Sequence, residues 1–210
     1  FLGMLSKENA ACTVGLLVVY DWVWEHRGRW IGGWRGFLKV GLPRYLPYVM
    51  LVFGFLFLRS QVVGSVFLPM LPGEAENILP HLKDETRWLT TLAATSVYLR
   101  LLVFPLRLMP DYSNTEIPII GSFLDPLAWG PLVVMVVLAG LVVLWIIRQH
   151  FLSGTLGILI FAVSFSPVSN FLVTIGTILG ERLLYLPMVG FAIFLGAVLC
   201  RLVSVTQERR

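Results

Sequence analysis

Charged side chains are scarce in this 210-residue sequence, at 13% of all residues, whereas hydrophobic residues make up 57%. A soluble domain carries about 25% charged residues. The low charge and the mean hydropathy of +0.83 therefore exclude an ordinary soluble domain. They indicate an integral membrane protein.

Cysteine and histidine are also rare, and their scarcity narrows the chemistry. The two cysteines, Cys12 and Cys200, lie within apolar stretches, which favours buried free thiols over a disulfide framework. The three histidines, His26, His81 and His150, lie at segment ends without a partner at metal-ligand spacing. We therefore expect neither a metal ion nor another cofactor.

Acidic residues are outnumbered, with 12 Asp and Glu against 16 Lys and Arg. This excess does not indicate nucleic-acid binding, because the basic residues lie in short loops between apolar runs. In such loops they determine the orientation of membrane spans. The loop 26–44 has five Lys or Arg and no acid, so we expect it on the cytoplasmic side.

Long apolar runs dominate what remains, and six of them stand out: 10–24, 45–58, 88–108, 127–147, 151–165 and 183–199. A helix needs about 20 residues to cross the hydrocarbon core. We predict an all-α membrane protein that forms one polytopic domain over 1–210. It has about six transmembrane helices and a re-entrant or broken segment. The third run is the weakest span, because it contains Arg100, Pro105 and Arg107.

Strict alternation of these six spans predicts the topology. It places 111–125 and 167–181 on the cytoplasmic face with loop 26–44, and Lys7, Glu8 and the C-terminus on the opposite face. If one segment is re-entrant or lies flat on the membrane, everything downstream of it inverts.

Ionisable residues beside apolar runs are candidates for function, because they are costly in a membrane unless they face a polar cavity or the headgroups. Lys7 and Glu8 form either an ion pair or a site for a charged ligand. Arg100 lies about twelve residues into the third run, and its guanidinium is suited to bind a phosphate through two parallel hydrogen bonds. The alternative is an ion pair with an acidic residue on a neighbouring helix.

Two polar clusters interrupt the later runs. Asp111, Tyr112 and Ser113 follow Pro110, which is typical of a turn, although a carboxylate and two hydroxyls also suit a sugar. Asn170 belongs to the break 166–170 after the fifth run. Broken backbone at membrane depth is tolerated where it lines a cavity or is buried in protein.

Glu181, Arg182 and Tyr185 lie at the beginning of the last apolar run, just before Pro187. Charge, an aromatic ring and a helix-kinking proline within one turn make this the best local candidate site. The plainer alternative is a simple anchor at the membrane interface.

Several motifs occur together in a recognisable order. These are Leu5-Ser6-Lys7-Glu8, Tyr98-Leu99-Arg100-Leu101-Leu102-Val103-Phe104-Pro105, Asp111-Tyr112-Ser113, Ser169-Asn170 and Glu181-Arg182-Leu183-Leu184-Tyr185-Leu186-Pro187. In this order and spacing the chain resembles the membrane part of the transmembrane and tetratricopeptide-repeat (TPR) proteins. The resemblance covers nearly all 210 residues, with the family's domain of unknown function inside 59–126.

The resemblance implies a GT-C glycosyltransferase fold and an O-mannosyltransferase that acts on cadherins. We expect it in the membrane of the endoplasmic reticulum, or in the plasma membrane if the protein is prokaryotic. The donor would be dolichyl-phosphate mannose, a polyprenyl-phosphate sugar, and the acceptor a Ser or Thr hydroxyl of a protein. Donor or substrate binding is expected from Lys7, Glu8, Arg100, Asp111, Tyr112, Ser113, Asn170, Glu181, Arg182 and Tyr185.

The resemblance also implies that parts are missing. The catalytic carboxylate would lie upstream of Phe1 and the TPR array downstream of Arg210, so we expect a fragment that is inactive alone. Two alternatives stay open on the residues. One is a transporter or flippase of a lipid-linked or anionic substrate, and the other is a non-catalytic membrane scaffold with TPR repeats.

Overall fold

The computed structural model describes residues 1–25, 33–64, 72–74, 76–106, 108–109, 112, 117–148 and 151–208. Within them no β-strand occurs, and an isolated bridge joins Tyr112 to Leu179. The α-helices are α1 (Leu2–Ser6), α2 (Thr13–Tyr20), α3 (Gly33–Gly36), α4 (Leu42–Val63), α5 (Asp84–Val103), α6 (Pro126–Ile147), α7 (Leu152–Phe165) and α8 (Tyr185–Glu208). Shorter 3-10 turns cover Glu8–Cys12, Leu79–His81 and Glu181–Leu184. The predicted all-α fold is confirmed.

Three helical stretches of the described chain are long and apolar enough to cross a membrane: Lys39–Val63, Pro126–Ile147 and Glu181–Ser204. Two shorter apolar stretches, Asn9–Val23 and Leu152–Phe165, accompany them. The chain is a membrane protein, as predicted, whereas the count of about six spans stays a prediction.

Local chemistry determines where these helices begin and end. The α6 helix begins where the Asp125 carboxylate accepts a hydrogen bond from the Leu127 N–H at 2.9 Å, with Pro126 at the first helical position. The α4 helix ends at Gly64, whose φ of +77° is readily adopted by glycine.

The α7 and α8 helices form the closest pair of the bundle. A Cβ atom at Gly157 would lie 2.8 Å from the Gly190 carbonyl oxygen, so the two backbones touch without side chains between them. Small residues permit this approach in membrane helices. This pair connects the two ends of the bundle.

The two ends of the bundle hold different groups. At the end that we call the site end, Lys7, Arg59, Val168 and Leu183 surround one cavity. At the opposite end, which we call the basic end, Val23 packs with Leu156 and the partly buried Leu152. The Arg201 guanidinium lies 5.5 Å from the centre of the Phe151 ring there. Beside Val23, Asp21 forms an ion pair with Arg44 at 3.4 Å.

The α5 helix corrects the predicted topology. It covers most of the third predicted run but is absent from the candidate spans of the described chain. It stops at Val103, because Phe104 precedes Pro105 and adopts a non-helical φ of −134°. The chain then returns to the beginning of α8, where Tyr112 pairs with Leu179. We call this part of the chain, which turns back after α5, the re-entrant segment.

This return overturns strict alternation. Alternation placed Lys7 and Glu181 on opposite faces, but Lys7 and Leu183 line the same cavity at the site end. It also placed the C-terminus opposite loop 26–44. The C-terminal part of α8 instead lies at the basic end, together with Arg44. The physical reason is that α5 packs against the bundle and the chain turns back after it.

Candidate functional site

Glu181 links the beginning of α8 to the chain that follows α5. Its Oε1 atom accepts hydrogen bonds from the Met109 N–H at 2.6 Å and from the Tyr112 hydroxyl at 3.0 Å. The Tyr112 N–H donates to the Leu179 carbonyl at 3.3 Å. Hydrogen bonds to an ionised carboxylate are stronger than neutral ones. Glu181 therefore holds the re-entrant segment closed against α8.

The pKa of the Tyr112 hydroxyl is raised above its ordinary value of 10.0. Burial is the largest cause, followed by the hydrogen bond to Glu181 and the charge of Glu181. The Arg100 guanidinium opposes this shift, because a positive charge favours the phenolate. Tyr112 is thus a neutral donor at physiological pH, and Arg100 lies close enough to influence it.

Tyr98 also supports the junction between the chain after α5 and the beginning of α8. Its side chain is 2% exposed, and its hydroxyl accepts a hydrogen bond from the Gly180 N–H at 3.1 Å. Its ring packs edge-on against Phe165, with 5.2 Å between ring centres. The residue before Glu181 is therefore held by the core, which fixes the start of α8.

Asn170 organises the loop between α7 and α8. Its Nδ2 atom donates to the carbonyls of Thr177 and Ile178 at 3.2 and 3.1 Å. Its Oδ1 atom accepts from the Ile175 N–H at 2.8 Å and from Asn77 Nδ2 at 3.3 Å. The residue is buried and has a φ of +60°, a conformation that asparagine tolerates better than most residues. These contacts give Asn170 an architectural role.

A cavity of about 590 Å³ at the site end is lined by two cationic residues, two other polar residues and otherwise apolar ones. Lys7, which is exposed, and Arg59, which is half-buried, both line it. Ser6 and Asn9 add polar groups. The apolar lining residues are Met4, Leu5, Phe55, Leu58, Val62, Val63, Val168, Ile175 and Leu183. The volume lies within the range of ligand pockets, about 300–1,000 Å³.

This arrangement suits an amphiphilic anion. The ammonium and guanidinium groups bind a phosphate through charge-assisted hydrogen bonds. The apolar walls come from the last turns of α4 and from the neighbourhood of α7 and α8. Because α4 and α8 belong to candidate spans, a hydrocarbon tail attached to the phosphate can remain in the membrane.

The other predicted site residues are distributed around this end. Arg100, Arg182 and Tyr185 are exposed, and Tyr185 is 82% exposed. Arg182 follows Glu181 in the same 3-10 turn. Asp111 and Ser113 lie outside the described residues, as does the side chain of Glu8.

Sequence reasoning missed three polar residues. Arg59 lies near the end of an apolar run and resembles an ordinary interfacial cation until its cavity is seen. Asn77 is fully buried under Asn170 and lies in a loop without a motif. Asp21 accepts a hydrogen bond from the Tyr45 hydroxyl at 2.6 Å. The signal for Asp21 was a single acid within an apolar run.

Metal chemistry receives no support from the described part of the chain, where no group of three or more His, Cys, Asp or Glu residues is arranged to hold an ion. Both cysteines are free thiols. Cys200 is exposed at the α8 surface, whereas Cys12 is half-buried.

Comparison with known proteins gives consistent results. The family model described as "Protein O-mannosyl-transferase TMTC, DUF1736" matches residues 74–139. The chain is 37% identical over 208 residues to "Protein O-mannosyl-transferase F38B6.6" of Caenorhabditis elegans, covering 97% of this chain and 27% of that protein. It is 45% identical over 49 residues to "Protein O-mannosyl-transferase Tmtc2" of Drosophila melanogaster, covering 23% of this chain and 5% of that protein. No solved structure matches.

The chain spans about a quarter of the length of the nematode relative, 27%. Its similarity to that relative extends over nearly its whole length, and the family model falls on α5, its return loop and the first part of α6. The family model and both relatives thus support the protein O-mannosyl-transferase TMTC family for this chain.

Proposed function

We propose that this chain is part of a membrane-embedded protein O-mannosyltransferase, and that its cavity at Lys7 and Arg59 receives the phosphate of a polyprenyl-phosphate mannose donor. The observation that carries the proposal is the pairing of two cationic side chains with apolar walls at the ends of membrane helices. The names of the relatives support the transferase class.

The chemistry requires an anion site. In mannosyl transfer, a Ser or Thr hydroxyl of the acceptor protein forms the new bond to the anomeric carbon as the bond to the phosphate oxygen breaks. The lipid phosphate leaves with the bonding electrons, so cations at this point stabilise the transition state. A base must accept the hydroxyl proton. We expect that base outside these residues, within the GT-C fold of the complete protein.

The basic residues at one end of the bundle support an orientation of the chain in the membrane. The basic end holds Arg44, and Arg35 and Lys39 precede it in the chain. Cytoplasmic loops carry the excess of Lys and Arg. We therefore propose that the basic end faces the cytoplasm and that the site end, with the cavity, faces the lumen of the endoplasmic reticulum.

Substituting the two cations tests the proposal. Lys7→Gln and Arg59→Gln, made in the complete protein, should each raise KM for the polyprenyl-phosphate mannose donor by about 10- to 100-fold. This corresponds to the loss of a hydrogen bond between charged groups, about 1.5–3 kcal/mol. Arg201→Gln, at the basic end, is the matched control and should leave KM unchanged.

The measurement is transfer of labelled mannose to an acceptor protein in microsomes that contain equal amounts of each variant. Unchanged KM values for both cavity variants would refute the donor site. The same vesicles distinguish the flippase alternative. If the variants lost transbilayer movement of the lipid-linked sugar while transfer in detergent was unaffected, the cavity would serve transport.

A further inference from the structure

The chain that follows α5 exposes a cluster of large apolar side chains. The exposed fractions are 57% for Val103, 64% for Phe104, 86% for Leu106 and 65% for Leu108. We call these four residues the wedge. The proposed donor cavity uses none of them.

The packing of α5 against α6 shows the direction in which α5 points. Leu89 and Ala93, in the first half of α5, pack with Ala128 near the beginning of α6. Further along α5, Leu99, Leu102 and Val103 line a cavity together with Val134 and Leu138 of α6. The two helices therefore run side by side in the same direction. Because α6 is a candidate span, α5 points into the membrane from the site end.

Packing near α8 indicates how deep in the membrane the wedge begins. The same cavity of about 300 Å³ includes Phe191, six residues beyond Tyr185, where α8 begins. At a rise of 1.5 Å per residue, Phe191 lies about 9 Å along the helix axis. Interfacial protein segments bury their apolar faces about 5–10 Å into the boundary between headgroups and acyl chains. Val103, the first residue of the wedge, lines this cavity and therefore lies close to this depth.

The backbone at Phe104, Pro105 and Leu106 tolerates such an environment. The Phe104 N–H donates to the Arg100 carbonyl at 2.7 Å, and the Leu106 N–H donates to the Phe104 carbonyl at 2.9 Å. Pro105 has no N–H. These three consecutive residues therefore bring no unsatisfied backbone donor into the lipid, where each one would cost several kcal/mol.

A cationic side chain lies one helical turn before the wedge residue Phe104. The side chain of Arg100 is exposed and acts electrostatically on Tyr112, which donates a hydrogen bond to Glu181 just before α8. A long cationic side chain above an apolar tip extends its charge to the lipid headgroups. Lipid phosphates are the complementary partner.

We propose that the wedge inserts into the bilayer leaflet at the site end and is covered by lipid acyl chains. It anchors the re-entrant segment, and through the contact between Tyr112 and Glu181 it holds the start of α8. The partner is the membrane itself.

Fluorescence quenching tests this insertion. Leu106→Cys, made in the complete protein with its other cysteines replaced, is labelled with bimane and reconstituted into phosphatidylcholine liposomes. Brominated acyl chains should reduce its emission, whereas iodide in the buffer should not. Val136→Cys, on the exposed face of α6, is the lipid reference, and Glu76→Cys, in an exposed loop, is the water reference.

Two results would overturn the proposal. Quenching by iodide, as at position 76, would place the wedge in water. Protection from both quenchers would show that protein covers it. Leu108→Cys provides a second position if the label at Leu106 perturbs the fold, and it must give the same pattern as Val136.

Discussion

Replacing Gly190 by alanine should separate α7 from α8. The added Cβ atom would lie 2.6 Å from the Gly157 carbonyl oxygen and 2.8 Å from the Phe161 Cα atom. An ordinary contact needs about 3.5–4.0 Å, and both obstacles are backbone atoms that no rotamer change can move. The helices must therefore move apart by about 1 Å or tilt. Overpacking of this kind costs about 1–3 kcal/mol.

The gain in helix propensity from alanine opposes this cost but is small. Another glycine of α8 provides a control. Alanine is favoured over glycine in a helix by about 1 kcal/mol at most. Gly196, also in α8, has no atom within 4 Å of an added Cβ, so Gly196→Ala gains this term without a clash. Because both substitutions gain this term, it cancels, and we expect Gly190→Ala to be less stable than Gly196→Ala by about 1–3 kcal/mol, the overpacking cost.

Unfolding by increasing mole fractions of SDS in mixed micelles, followed by tryptophan fluorescence, measures the difference. The midpoint for Gly190→Ala should fall below that of the unsubstituted protein, and the midpoint for Gly196→Ala should equal or exceed it. Equal midpoints for the two variants would refute the direct backbone contact between α7 and α8.

Two further predictions concern the junction and its loop. Tyr112→Phe removes a donor to Glu181 and should lower stability by about 1.5–3 kcal/mol, whereas Tyr185→Phe, at an 82% exposed position, should change it by less than about 0.5 kcal/mol. Because the pKa of Tyr112 is raised, its contribution should be complete below pH 10 and decline as pH rises through the raised value. The stability difference between wild type and Tyr112→Phe, measured against pH, checks this, and a constant difference up to pH 11 would contradict it. Asn170→Ala should be less stable than Asn170→Gly by about 1–2 kcal/mol, because only the φ of +60° distinguishes the two losses; equal thermal midpoints would argue against a left-handed residue there.

Much of the fold could be predicted from hydropathy alone. The predicted runs 127–147, 151–165 and 183–199 correspond closely to α6, α7 and α8. The second run extends in the structure to Leu42–Val63. Such agreement is expected, because a backbone in lipid must satisfy its own hydrogen bonds and a helix does so locally.

The third run shows the limit of hydropathy. Its sequence is apolar enough to suggest a span, yet α5 buries Thr90, Thr91 and Thr95 within the bundle. The Thr90 hydroxyl accepts a hydrogen bond from the Ile120 N–H at 3.1 Å. That contact joins residues thirty positions apart, and no local pattern predicts it. Arg100 and Pro105 were the local indications that the segment does not cross.

The residues of the candidate site, too, could be predicted only in part from the sequence. Lys7 was identified by its position in an apolar stretch, but its companion Arg59 comes from α4 and becomes visible only when both line one cavity. The Glu181 motif was prominent in the sequence. Its hydrogen bonds to Met109 and Tyr112 show that it closes the re-entrant segment, and its predicted part in donor binding stays a prediction.

The sequence by itself determined that this is a helical membrane protein, where most helices lie, and which family it resembles, because these follow from local hydrophobicity and short motifs. Only the tertiary structure decided that α5 turns back, that Lys7 and Glu181 share one end of the bundle, and that Arg59 joins Lys7. These features depend on contacts between distant residues, and such contacts exist only after the helices have packed.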